Sequence, residues 1–187
     1  MKIRTFIALE LPQSLKHELS GLARLLAGQG QRQHIRWLPS ENYHLTLAFL
    51  GEVEEHILSS LQFALERKLE SLKAVPCKIS SITPFPFSRP KIAAALLECN
   101  AELLELQTDV VNCARGCGIS LERRRFAPHV TIGRLKSGSR KIFEFQPVNI
   151  FLEGVADSVI LFQSELTPEG AIHTALGEIS LTALPGN

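Results

Sequence analysis

"HLTLAFLG" (residues 44–51) and "HVTIGRL" (129–135) open on the same pattern, His-x-Thr-x, with an apolar residue at each x. In an extended chain, successive side chains point to opposite faces. His44, Thr46 and Ala48 therefore share one face of the first stretch, and Leu45, Leu47 and Phe49 the other. In the second stretch His129, Thr131 and Gly133 oppose Val130 and Ile132. Each copy sets an imidazole beside a hydroxyl on one surface and anchors it with an apolar reverse side. The small residues Ala48 and Gly133 leave room next to them. One His-x-Thr in a strand is ordinarily a polar decoration. Two copies, each preceded by a turn, predict a shared polar cleft on a rigid floor.

The flanking sequence supplies the rest of the fold. "IRTFIALEL" (3–11) reads as a buried strand, and Pro12 suits a first helical position ahead of Leu15, Leu19, Leu22 and Leu26. A loop is expected over 28–33 and a turn over Pro39–Asn42, with Gly51 ending the first motif strand. Val53, Ile57, Leu61, Ala64, Leu65 and Leu69 mark an amphipathic helix from Glu52 to about Ser71. Strands are predicted near 75–83 and 91–98, separated by "TPFPFSRP", which is too proline-dense for a central strand. A third helix carries Leu103, Leu106, Val110, Val111 and Ala114 and closes at Gly116 or Gly118. After the second motif come a polar turn, "KSGSR", and strands near 146–153, 157–165 and 172–182. With one motif in each half, an internal duplication is suggested. The class is α+β: antiparallel sheets with helices on one side.

Composition is that of an ordinary globular chain of 187 residues, 45% hydrophobic and 21% charged, read here as one bilobal domain spanning 1–187. The net charge of +1 says nothing by itself about nucleic acid. Between Leu121 and Lys141, however, Arg123, Arg124, Arg125, Arg134, Lys136, Arg140 and Lys141 face a single acid, Glu122. That local excess suits a phosphate-bearing ligand. Cys77, Cys99, Cys113 and Cys117 form no zinc-type set and read as free thiols of a reducing compartment. The apolar run after Met1 is interrupted by Glu10 and Pro12, too early for a signal core or a membrane span. A cytoplasmic protein without membrane contact is expected.

Paired histidines and threonines fit phosphodiester cleavage. Histidine titrates near neutrality, so one imidazole can be neutral while another is charged. The neutral ring takes a proton from the attacking oxygen and the charged ring protonates the leaving oxygen. In-line displacement puts those two oxygens on opposite sides of phosphorus, so the histidines must approach from opposite sides. Thr46 and Thr131 can donate to the non-bridging oxygens. This scheme needs no metal and no cofactor. Arg134 is the nearest cation, but strict alternation puts it on the face opposite His129 unless the strand bulges near Gly133.

The stretches "WLPSENYHLTLAFLGEV" (37–53) and "RRFAPHVTIGRL" (124–135) resemble the 2H phosphoesterase superfamily, and within it the RNA 2′,3′-cyclic phosphodiesterases, formerly called 2′-5′ RNA ligases. "FIALELP" (6–12) and "SELTPEGAIHTAL" (164–176) look like the same branch. The resemblance implies two pseudo-twofold lobes around a central cleft. It also implies hydrolysis of a terminal 2′,3′-cyclic phosphate on RNA to a 2′-phosphate, with possible reversible 2′-5′ joining. By the same resemblance His44 is the proton donor and His129 the acceptor; Thr46, Thr131 and Arg134 are the phosphate-binding candidates already read from the residues. The expected partners are RNA 3′ ends or nucleotides bearing a 2′,3′-cyclic phosphate, met by a monomer. His173 departs from the family pattern, which has an aromatic, usually Tyr, at that place. The roles of His173, Arg123 and Arg125 are left open by the sequence.

Rival readings keep the same histidines. A related enzyme acting on ADP-ribose 1″,2″-cyclic phosphate or 2′-5′ oligoadenylate would carry the same motifs. A non-catalytic nucleotide- or RNA-binding module would not need both histidines intact. A zinc site on His44 and His129 would leave the threonines and arginines without purpose.

Overall fold

The computed structural model describes residues 1–29, 34–122, 125–136, 146–168 and 170–183. In chain order these form β1 (Lys2–Glu10), α1 (Gln13–Gly28), β2 (Ile35–Trp37), a 3-10 turn (Ser40–Asn42), β3 (His44–Glu54), α2 (Glu55–Leu69) and β4 (Val75–Phe85). Then follow β5 (Ile92–Leu97), α3 (Ala101–Gly116), β6 (His129–Leu135), β7 (Val148–Ala156), β8 (Ser158–Thr167) and β9 (Gly170–Ser180). The class is α+β, as expected.

The strands join in the order β7-β4-β5-β6-β3-β1-β8-β9, with β2 added alongside β6. Each pairing within this order is antiparallel. The order is symmetric about the β6–β3 joint: β5 matches β1, β4 matches β8, and β7 matches β9. This is the pseudo-twofold arrangement of two lobes. The lobes are not the two halves of the chain, however, because β8 and β9 return to complete the lobe begun by β1 and β3. The joint itself rests on one registered pair, Leu45 with Val130. The sheet is continuous through this joint, which is its shortest pairing among the described residues and marks the boundary between the lobes.

All three helices lie on one face. A Cβ on Gly154 of β7 would come within 2.9 Å of Pro12, at the start of α1, and within 3.4 Å of Leu15. One on Gly177 of β9 would come within 2.8 Å of Gln62 of α2. Both glycines let a helix settle close to the sheet. On α3, Gln107 Nε2 donates to the Leu47 carbonyl of β3 at 3.4 Å. The core between helices and sheet is apolar and closed: Ile7, Leu9, Leu15, Leu19, Leu45, Leu61, Leu65 and Val130 have no exposed surface. Burial of this kind contributes roughly 1.5–3 kcal/mol per large side chain before entropy is counted. Asn100 caps α3 by accepting from the Leu103 N–H at 2.8 Å while donating to the Pro76 carbonyl at 2.7 Å. At the other end Gly118, with φ of 79°, closes the helix as Ile119 N–H reaches back to the Ala114 carbonyl at 3.0 Å.

Three expectations need correction. Gly51 does not end β3; it takes φ of 72° beside a bulge, and pairing with β1 continues to Glu54 opposite Lys2. Consequently α2 starts at Glu55 and not Glu52. Pro84 belongs to β4, paired with Ala93; among the described residues β7 pairs with β4 only as far as Ile82, so no ladder bond to the other side is asked of Pro84 there. A short strand, β2, also lies where only a lead into a turn was read. The expected loop residues 30–33 and the turn "KSGSR", apart from Lys136, lie outside the described residues.

Candidate active site

Paired residues on neighbouring antiparallel strands point to the same side of a sheet. Leu45 and Val130 are such a pair, and both are buried under the helices. Their neighbours His44, Thr46, His129 and Thr131 therefore all project from the open face, and all four are partly accessible. The two histidine–threonine sets come together at the joint, from different lobes. Neither threonine hydroxyl is committed to another group among the described residues.

Backbone carbonyls orient both rings. His129 Nδ1 lies 2.7 Å from the carbonyl oxygen of Ala127, two residues earlier. His44 makes a backbone bond to Asn42, again two residues earlier and of the kind that favours the protonated ring. With Nδ1 of His129 held in this way, its Nε2 is the nitrogen left for chemistry in the cleft.

The surroundings of the two rings differ. His44 stacks on Phe6 at 5.0 Å, lies 5.8 Å from Phe162, and meets His173 edge-on at 5.4 Å between centroids. Burial pushes His44 down to about 3, helped by the nearby His173, Lys16 and Arg134 and opposed by the Asn42 bond. Lys16 is itself buried on α1 and paired with Glu10, the β1 residue opposite His44. His129 rests against Phe85 at 4.5 Å, and Phe85 in turn meets the exposed Phe87 at 6.0 Å.

Arg134 reaches the histidine face through a bulge. Ala94 pairs with Thr131 and Ala93 with Gly133, so Ile132 is an extra residue on β6. Alternation resets there, and Arg134 opposite Ile92 falls on the same side as Thr131 and His129. Gly133 makes this possible: a Cβ there would stand 2.6 Å from Ile35 Cγ2 and 3.3 Å from the Trp37 ring. Across β2, Arg36 pairs with Arg134, and the Arg36 guanidinium would lie 3.8 Å from a Cβ on Gly170 in the β8–β9 turn. Arg134 is lowered from its ordinary value by burial and then by the charges of Arg36 and Arg4, so three guanidinium groups gather at this end of the cleft.

The structure thus brings together His44, Thr46, His129, Thr131 and Arg134. Arg125 is exposed, and no hydrogen bond or ion pair links it to them among the described residues. Arg123, Arg124, Arg140 and Lys141 lie outside those residues. Sequence reasoning missed Phe6, Phe162, Phe85, Arg4 and Arg36. The first was findable, since Phe6, Ala8 and Glu10 share a face of a strand already recognised. The others depend on which strands become neighbours. Among the described residues no three His, Cys, Asp or Glu side chains converge as a metal site, and no helix is long and apolar enough to cross a membrane.

Comparison with known proteins agrees with this architecture. The family model for LigT-like phosphoesterases matches residues 9–93. An RNA 2′,3′-cyclic phosphodiesterase of Thermotoga maritima is 30% identical over 94% of this chain and 94% of its own. One from Methanocaldococcus jannaschii is also 30% identical, over 94% of this chain and 99% of its own. The fold is shared with a Thermus thermophilus protein, at a TM-score of 0.84 and 24% identity over 97% and 99% of the two chains. It is shared as well with E. coli LigT complexed with 3′-AMP, at a TM-score of 0.76 and 21% identity over 97% and 99%. Identity at this level over nearly the whole of both chains places the protein in the family of LigT-like phosphoesterases.

Proposed function

We propose that this protein hydrolyses the terminal 2′,3′-cyclic phosphate of RNA to a 2′-phosphomonoester by paired-histidine acid–base catalysis. The observation that carries the reading is the Leu45–Val130 joint, which sets two histidine–threonine pairs from two lobes on one open face. The names of the relatives support the substrate class. Water attacks phosphorus from one side while His129 Nε2 takes its proton. The bond from phosphorus to O3′ breaks on the other side, and His44 delivers a proton to that oxygen. One water is consumed, and a 2′-phosphate with a free 3′-hydroxyl results. Thr46 and Thr131 donate to the non-bridging oxygens, and Arg134 offsets their charge. Because free His44 is held near 3, the bound anion must recharge it before it can act as the donor.

The test is incubation with a short RNA ending in a 2′,3′-cyclic phosphate, in excess EDTA, with the product end identified. A 2′-phosphate is expected. ADP-ribose 1″,2″-cyclic phosphate and 2′-5′ oligoadenylate serve as parallel substrates. Faster turnover of either one would move the reading to a small-nucleotide phosphodiesterase. Binding without turnover of any of them would make the chain a nucleotide-binding module. The same preparation, given the cyclic-phosphate RNA together with a second RNA bearing a free 5′-hydroxyl, reports any 2′-5′ joining, in which that hydroxyl replaces water as the attacking group and O3′ leaves.

A further inference from the structure

His173 sits on β9 opposite Ser164 of β8, and its ring meets His44 edge-on at 85°. The same ring stands edge to Phe6 at 5.0 Å and lies 6.2 Å from Phe162. Its Nδ1 is buried and has no hydrogen-bond partner. Nε2 is not among the buried unpartnered atoms and makes no hydrogen bond among the described residues, so it retains accessible surface, on a ring that lies against His44.

These facts fix the state of the ring. A neutral imidazole carries one N–H and one lone pair, and the proton goes to the nitrogen that can be hydrogen-bonded. Here that nitrogen is Nε2. A charged ring would also carry a donor at Nδ1, buried against Phe6 with nothing to receive it. The nearby cation opposes protonation too: Arg134 comes from β6, with Arg36 and Arg4 beside it, and the neighbouring His44 is itself neutral in the free protein. Burial first, and then Arg134, hold His173 below the usual histidine value.

We infer that His173 is a substrate-binding group of this site: a neutral imidazole whose Nε2–H donates to an oxygen of the phosphoester held between His44 and His129. The inference rests on the proposed reaction for the identity of that oxygen. Its chemical sense is that a neutral donor stabilises phosphoryl charge without repelling the proton that His44 must acquire. A cationic third histidine would oppose that proton. His173 takes no proton at any step.

Nitrogen-15 NMR of the full chain, free and titrated with inorganic phosphate, tests the ring directly. From about pH 6 to 9, on either side of the ordinary histidine pKa, His173 Nδ1 is expected to be unprotonated and Nε2 protonated, with Nε2 shifting as phosphate binds. The substitutions His173→Gln and His173→Phe test the consequence in catalysis. Phe keeps the ring and removes the donor, so kcat/KM on cyclic-phosphate RNA should fall on the order of 10- to 100-fold, as for a lost hydrogen bond to a charged oxygen. Gln keeps a neutral N–H and should stay within a few fold of the native protein, with both limbs of its pH profile in place. A protonated Nδ1, or a ring indifferent to phosphate, overturns the inference. So does a Phe variant equal to the native protein, or Gln and Phe variants equally impaired with one limb lost. Absence of turnover on every cyclic phosphate would sink the proposed reaction instead, while the phosphate titration still decides the role of His173.

Discussion

Leu45 and Val130 face each other across the joint between the lobes, each one residue past its histidine. That register does two things at once. It buries both apolar side chains under the helices, and it turns both histidines and both threonines to the open face. A slip of one residue would send one whole set to the wrong side.

Leu45→Ala should therefore cost stability more than chemistry. Its side chain is fully buried, and removing it should lower the unfolding free energy by about 2–5 kcal/mol. Urea denaturation measures this, and turnover below the new midpoint should stay within a few fold. Leu45→Met, nearly equal in volume, should lose less than about 1.5 kcal/mol.

Gly133→Ala should damage the site without touching a reacting group. The new methyl meets Ile35 Cγ2 at 2.6 Å, so β2 must move away from β6. Arg36 and Arg134 move with those strands. A stability loss of about 1–3 kcal/mol, usual for overpacking, and a raised KM are expected. Ile35 is itself buried, so Ile35→Ala is destabilising alone, but it should cost less beside Gly133→Ala than in the native protein and should recover part of KM, and a double-mutant cycle reads this coupling. Simple additivity would mean that the two side chains do not meet.

Arg134→Ala should raise KM and lower kcat, because the bulge at Ile132 puts this cation beside Thr131. A loss of roughly 1.5–3 kcal/mol in transition-state stabilisation matches a hydrogen bond to a charged group. Arg125→Ala, exposed and apart from the site, is the control and should change little. Equal losses from both would point to a diffuse basic face.

The buried His44 leaves a mark on the pH dependence of folding. Its pKa lies near 3 in the folded chain, against an ordinary 6.5. Between those values the unfolded chain binds a proton that the folded chain does not, so stability should fall as pH drops through that window. His44→Phe should flatten this part of the curve, measured by denaturant midpoints inside and above the window. In the native protein, phosphate should raise the pKa of His44, visible by NMR. If His44 stays neutral in the phosphate complex, it is the proton acceptor, and His129 is the donor.

The shared face of His44 with Thr46 and of His129 with Thr131 was legible because it is a property of one short strand segment, but Ala48 and Gly133, expected on those same faces, are turned to the other side by bulges at Leu47 and Ile132. The helix ending at Gly118, which local backbone chemistry determines, was legible too. The face of Arg134 was not, since the bulge at Ile132 arises from how β5 pairs with β6, and the fit of Ile35 over Gly133 comes from a strand three residues long. The aromatic wall of His44 was equally hidden. Phe162 and His173 lie far along the chain and become its neighbours only through the order of strands. Gly51 misled because its positive φ serves a bulge as well as it serves a chain end.

That strand order also sets a schedule for synthesis. The lobe of β4 to β7 is made from one uninterrupted stretch of chain, whereas β1 and β3 must wait for β8 to emerge from the ribosome before their sheet is complete. Until then Phe6 and His44 lie beside an unfilled edge, with neither Phe162 nor His173 against them. A nascent chain can hold the second motif in place while the first is still half-built. A chain made only as far as β7 therefore has His129 and Thr131 in a complete set of strands while His44 still lacks Phe162 and His173.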